Sequence, residues 1–167
     1  MNKENARHKL VLAVDPATRG IGFAIFEGPR GPIDWGVKDT KVDKNAQGLR
    51  KIERLMDFYH PDVVVVEDYA GKGSRRCRRV QRLIKDIKGL AQKKGIETRS
   101  YSRAAIRKTF SGSGAKTKYE IAQKIAQWLP TFARRLPPAR KPWMTEDYRM
   151  NIFDAVSLAL TFYAEEE

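Results

Sequence analysis

The stretch LVLAVDPATRGIGFAIFE, residues 10–27, decides how the rest of the chain is read. Leu10–Val14 and Ile21–Phe26 are rich in strand-forming residues. Between them ATRG carries turn chemistry, with Gly20 and Gly22 flanking the turn, so the stretch predicts two strands joined as a hairpin. The first strand runs into a carboxylate. Aspartate is a poor strand residue and is costly to bury without a partner, so Asp15 calls for something that holds its charge.

Working outward, the GPRGP loop leads to IDWGVKDT, a third strand that completes an antiparallel meander. Residues 46–58 carry Leu49, Ile52, Leu55 and Met56 at helical spacing, continued by Tyr59. PDVVVVED follows, and four successive valines predict a strand buried on both faces in the middle of a sheet. It too ends in acid, at Glu67 and Asp68. Residues 74–94 predict a long helix with a stripe of Val80, Leu83, Ile84, Ile87, Leu90 and Ala91. IETRSYS is a fifth strand and SRAAIRKTF a short helix with Ser102 as its N-cap. SGSG reads as a flexible loop and AKTKYEIAQKIAQWL as another helix. Residues 130–148 hold four prolines and several Lys and Arg, and predict an extended basic loop. MNIFDAVSLALTFYA closes the chain as an apolar helix with Asp154 inside it. The order predicts one α/β domain over residues 1–167: a five-stranded mixed sheet, three strands antiparallel and the others parallel, flanked by helices.

Charge narrows the function. The chain has 33 Lys+Arg against 20 Asp+Glu, a formal +13, and such a domain generally meets a polyanion. The single cysteine, Cys77, excludes an internal disulfide and fits a cytoplasmic setting. The N-terminal MNKENARHKL lacks the apolar core of a signal peptide. No apolar run approaches the roughly 20 residues that span a bilayer, so no membrane partner is expected.

Asp15 has company. If strands one and four are neighbours, Asp15 and Glu67 end at one sheet edge, and a C-terminal helix crossing that edge brings Asp154 to both. A lone acid at a strand end more often simply faces water, but Asp154 sits among Ile152, Phe153, Ala155 and Val156. Three clustered carboxylates repel one another unless a cation neutralises them. An all-oxygen donor set points to Mg²⁺ or Mn²⁺. Two such ions about 4 Å apart suit phosphodiester cleavage.

LAVDPATRGIGFAIFE, VVVVED, SGSGAKTK and IFDAVSLAL, in this order and at these separations, resemble the RuvC-like Holliday junction resolvases, on the RNase H-like fold. The resemblance runs through nearly the whole chain. It implies a homodimeric, Mg²⁺-dependent endonuclease that nicks four-way DNA junctions, with two ions per site. It assigns Asp15, Glu67 and Asp154 as metal ligands, Lys118 as a functional lysine and Arg107 as a second basic residue. The family places a fourth acidic or histidine ligand near Asp154. Here the position one turn earlier is Asn151, a departure, because an amide can ligate Mg²⁺ but brings no charge. Asp147 is the alternative, seven residues before Asp154 and roughly 10 Å along a helix axis, within reach only if the helix starts later and the chain folds back. Asp68 is a further alternative, but strand alternation turns it away from Glu67.

GKGSRRCRRVQR follows Glu67, with six Lys/Arg between positions 72 and 82. Lys72, Arg75, Arg76, Arg78 and Arg79 therefore read as a phosphate track. Lys116 competes with Lys118 for its role. Tyr69, just past Glu67, is expected to stack on an unpaired base or to wedge the helix start. Arg134, Arg135, Arg140, Lys141 and Trp143 place a second DNA arm against the proline-rich loop. The alternatives are a same-fold nuclease acting on RNA, flaps or forks, and a branched-nucleic-acid-binding module without catalysis.

Overall fold

Alternation along two neighbouring strands sets the layers of this protein. In the computed structural model, which describes residues 7–70 and 76–167, β1 (Leu10–Ala17) lies between β2 (Gly20–Glu27), antiparallel to it, and β4 (Val63–Glu67), parallel to it. Val11 and Ala13 of β1 and Val63 and Val65 of β4 face one way, into a core built with α3 (Arg103–Phe110), α4 (Lys118–Trp128) and α5 (Met150–Glu166). Leu12, Val14, Val64 and Val66 face the other way, onto α1 (Lys44–Tyr59) and α2 (Arg78–Lys93). All four valines of the 63–66 run are fully buried, as a strand covered on both faces requires.

β3 (Pro32–Lys38) pairs antiparallel with β2, and β5 (Glu97–Tyr101) pairs parallel with β4, giving the order β3-β2-β1-β4-β5. The five-stranded mixed sheet expected from the sequence is present, with helices on both faces.

Local chemistry accounts for most element ends. The Ser102 hydroxyl accepts from the Ala105 amide at 3.1 Å and starts α3. The Thr117 hydroxyl accepts from the Glu120 amide at 3.1 Å, so α4 begins after residue 117 and not at Ala115. SGSG is a single 3₁₀ turn, Ser111–Ser113, closed by Gly114 at φ 84°. The helix expected over 74–94 begins only at Arg78, after an extended Cys77.

The stretch expected to be an extended loop from residue 130 opens instead as a 3₁₀ helix, Pro130–Arg135. Its Phe132 is fully buried and packs on Phe26, Trp35 and Phe153. One aromatic with no periodic neighbours ties this segment to the core, which a periodicity reading does not register. The Tyr119 hydroxyl then pins the Pro137 carbonyl at 2.8 Å. Arg140, Lys141 and Trp143 beyond it are exposed, with the Lys141 ammonium 5.4 Å from the Trp143 ring centroid.

Candidate active site

Parity carries the site. Asp15 continues the face of Val11 and Ala13, and Glu67 continues the face of Val63 and Val65, so both carboxylates point to the side covered by α5. The helix comes close because Gly22, the cross-strand partner of Asp15, has no side chain. A Cβ there would overlap the Asn151 carbonyl and lie 2.8 Å from Asn151 Cβ. The first turn of α5 therefore rests directly on β2, which delivers Asp154 to the ends of β1 and β4. Asp15, Glu67 and Asp154 are all buried.

Cations gather these acids. Arg76 donates from Nη2 to Asp15 Oδ1 and from Nε to Glu67 Oε2, each at 2.6 Å. Arg103 Nε donates to Glu67 Oε1 at 2.9 Å, and its Nη1 lies 3.9 Å from Asp154 Oδ1. Lys118 Nζ lies 3.0 Å from Asp154 Oδ2 and 3.1 Å from Glu146 Oε1. Three core carboxylates thus meet three cations. Burial, reinforced by the Asp154 charge, pushes the Asp15 carboxyl up to about 7 against the pull of Arg76, Lys118 and Arg103. The Asp15 charge in turn holds the Arg76 guanidinium above its ordinary range. Burial works to deprotonate Lys118, yet Asp154, Asp15 and Glu146 outweigh it and keep its ammonium charged.

Two clefts open on either side of Arg76 and Lys118. One, of about 470 Å³, is lined by Glu67, Arg103, Arg107, Lys116 and those two cations, with Ile106 and Ile121 as its apolar floor. The other, of about 310 Å³, is lined by Asp154, Asn151, Asp147, Glu146, Tyr148 and Arg19, again with Arg76 and Lys118.

Arg76, expected on an open phosphate track, is instead a largely buried ion-pair partner of two acids. Arg79 is also engaged. Its guanidinium reaches Asn45 Oδ1 at 3.1 Å and the Ala17 carbonyl at 3.4 Å, tying the starts of α1 and α2 to the end of β1. Arg78 is exposed. Lys72 and Arg75 lie outside the described residues. Arg107 and Lys116 line the basic cleft beside Lys118. Tyr69 is half-buried against the α1/α2 core, in a cleft it shares with Ile84, Lys85 and Lys88 from the middle of α2. Asn151 is buried at the base of the acidic cleft. Asp147 precedes α5 and faces the same cleft as Asp154, because the helix starts at Met150. Its carboxylate is clamped by Arg149, from Nε at 2.9 Å and Nη2 at 2.8 Å, and these bonds hold it below the usual carboxylate range.

Two site residues escaped the sequence reading. Arg103 could have been found from register, since Tyr101 pairs with Glu67 and Arg103 follows two residues later. Glu146 lies in a proline-rich stretch without periodicity, and nothing local marks it.

The donor set fits a divalent cation in one specific respect. Asp15 Oδ2 is buried without a hydrogen-bond partner among the described residues, and a buried carboxylate oxygen left unpaired costs free energy until something ligates it. Asp15, Glu67 and Asp154 offer only oxygen, as Mg²⁺ and Mn²⁺ prefer. Among the described residues, no three His, Cys, Asp or Glu side chains are drawn into a closed metal-holding group. The acids are bridged by Arg76, Arg103 and Lys118 instead.

No protein-family model matches the chain. It is similar to the crossover junction endodeoxyribonuclease RuvC of Corynebacterium glutamicum, 25% identical over 139 residues, covering 77% of this chain and 62% of that protein. It therefore spans less than two-thirds of that relative. The RuvC of Prochlorococcus marinus strain MIT 9312 is 24% identical over 164 residues, covering 93% and 97% of the two chains. In structure, Thermus thermophilus RuvC superposes with a TM-score of 0.68 at 20% identity, covering 94% of this chain and 96% of that one. Fowlpox virus resolvase, solved with Holliday junction DNA, gives 0.54 at 18% identity over 94% and 98%. No described helix is long and apolar enough to cross a membrane. The resemblance read in the motifs thus holds over most of the chain, and its fold is the RNase H-like fold of the RuvC-type Holliday junction resolvases, the proteins to which it is similar in both sequence and structure.

Proposed function

We propose that the chain is a divalent-metal-dependent endodeoxyribonuclease that resolves four-way DNA junctions by paired phosphodiester cleavage, acting as a homodimer. One observation carries the reading. Buried Glu67 lines one cleft with Arg103, Arg107, Lys116 and Lys118, buried Asp154 lines the adjoining one with Lys118, and Arg76, shared by both clefts, ties Glu67 to buried Asp15. Acids alone would repel DNA, and cations alone would only bind it. Their juxtaposition suits a site that holds a phosphodiester and acts on it.

Asp15, Glu67 and Asp154 would hold the cation, with Asn151 or Asp147 completing the set. When bound, Mg²⁺ or Mn²⁺ supplies Lewis-acid stabilisation of charge on the phosphate. Lys118, kept charged at Asp154, is placed to offset negative charge developing on the phosphoryl oxygens as water adds in line. Arg107 and Lys116 orient the backbone through its neighbouring phosphates. A two-fold dimer would present two such sites, matching a substrate that needs two cuts. The T. thermophilus RuvC complex with a Holliday junction substrate, a structural neighbour at TM-score 0.69, supports the choice of DNA.

A second reading, a branched-DNA-binding module without catalysis, is favoured by Arg76 standing between two of the acids and by Asn151 in place of an acid. The test is a cleavage panel: labelled four-way junction, matched duplex, flap and RNA–DNA hybrid, with Mg²⁺, Mn²⁺ or EDTA. Paired nicks in the junction alone, lost in EDTA, are expected. Tight junction binding with no cut under either ion would select the binding module.

A further inference from the structure

We propose that Arg76 is a resident counter-cation that competes with the divalent ion for Asp15 and Glu67, so that metal loading is an exchange and not a simple addition. This deepens the nuclease reading and rests on it. The guanidinium spans the two strand ends, bonded at 2.6 Å to Asp15 Oδ1 and at 2.6 Å to Glu67 Oε2. Those oxygens come from two of the three acids a divalent ion would use. With Arg103 and Lys118 already beside Glu67 and Asp154, a further two positive charges would be strongly repelled while Arg76 stays.

Arg76 has somewhere to go. Its side chain remains 16% exposed and lines both clefts, and its backbone carbonyl, held by Gln81 Nε2 at 2.8 Å, fixes the chain while the side chain swings. The fork that grips two carboxylates suits a phosphate equally well. A phosphodiester entering the basic cleft can therefore draw Arg76 off the acids, and by reciprocity whatever draws it off favours the metal. In the free protein, Arg76 keeps the acids neutralised.

The test measures Mn²⁺ binding to the free protein by the electron paramagnetic resonance of unbound Mn²⁺, for the wild type, Arg76→Gln and Arg76→Lys. Arg76→Gln should bind Mn²⁺ about tenfold or more tightly than the wild type, within the range usual for coupled sites. Arg76→Lys, which keeps the charge and loses the fork, should fall between. Thermal unfolding supplies an independent readout: Arg76→Gln should melt lower than the wild type in EDTA and gain more from added Mn²⁺. Equal or weaker Mn²⁺ binding by Arg76→Gln, or failure of Mn²⁺ to raise its melting temperature more than that of the wild type, overturns the competition. If Arg76→Gln fails to fold, Arg76→Lys decides by the same criterion. Mn²⁺ binding unchanged by either substitution, with junction cleavage intact, removes only this inference. Absence of Mn²⁺ binding in every variant removes the metal-dependent reading itself.

Discussion

Gly22→Ala probes how the site is assembled without touching any of its charged groups. Gly22 is not among the residues with positive φ, so alanine fits the backbone, and replacing a mid-strand glycine would by itself gain about 0.5–1 kcal/mol. The contact works against that gain. The new Cβ would overlap the Asn151 carbonyl and stand 2.8 Å from Asn151 Cβ. The obstacle is main chain in the first turn of α5, which no rotamer change can clear, so β2 and α5 must separate by roughly 1 Å, a displacement that costs about 100-fold in catalysis when it moves a catalytic group. Asp154 lies one turn further along the same helix. Overpacking of this kind costs about 1–3 kcal/mol. The expected result is a protein destabilised by about 1–2 kcal/mol in urea unfolding, net of the strand gain, with junction cleavage reduced about 100-fold. Gly89 is the control: it lies in α2, where an added Cβ would meet nothing within 4 Å, and Gly89→Ala should stabilise by about 1 kcal/mol. Wild-type stability and cleavage in Gly22→Ala would refute the claim that this contact places Asp154.

Further outcomes follow from the charges. Burial raises the Asp15 carboxyl from 3.8 to about 7, so the folded chain binds its proton more tightly than the unfolded chain. The stabilisation this gives is complete below about pH 4 and lost as pH rises through about 7; without divalent metal, unfolding midpoints from pH 5 to pH 8 should fall more steeply for the wild type than for Asp15→Asn, and parallel profiles would contradict the burial argument. Lys118→Gln should lower single-turnover junction cleavage by about 100- to 1,000-fold while junction affinity changes little; a loss confined to affinity would make Lys118 a phosphate contact only. Trp143, 78% exposed beside Lys141, tests the proline-rich loop. Trp143→Ala should leave unfolding within about 0.5 kcal/mol yet weaken junction binding, read by fluorescence anisotropy, by about 1 kcal/mol or more; unchanged binding would remove the loop from the DNA interface.

The layers of the fold were legible because alternation and burial agree. The valine run at 63–66 reads as a central strand, and the stretch at 10–27 as an antiparallel hairpin, whose first strand lies parallel beside it. Once β1 and β4 are adjacent, the convergence of Asp15 and Glu67 follows from period two, and the spacing of the last helix brings Asp154 to them. The cations were harder to place. An arginine side chain is long enough to serve surface or interior, and nothing in RRCRR distinguishes Arg76, which turns inward, from Arg78, which stays exposed. That distinction depends on an extended Cys77 delaying the start of α2. Phe132 and Glu146 lie in proline-rich sequence, where partners are set by tertiary packing and not by periodicity. Asp147 illustrates both sides: an uninterrupted helix would hold it away from Asp154, and the turn before Met150 brings it to the same cleft.

The central claim is that Asp15, Glu67 and Asp154 act on a junction phosphate and do not merely hold the fold. The most direct measurement maps nicks on a labelled four-way junction for the wild type and Asp15→Asn in Mg²⁺, with junction affinity measured on the same preparations. The account predicts paired nicks by the wild type, none by Asp15→Asn, and equal affinity for the two. Nicking that survives in Asp15→Asn, or junction affinity lost together with cleavage, would contradict it.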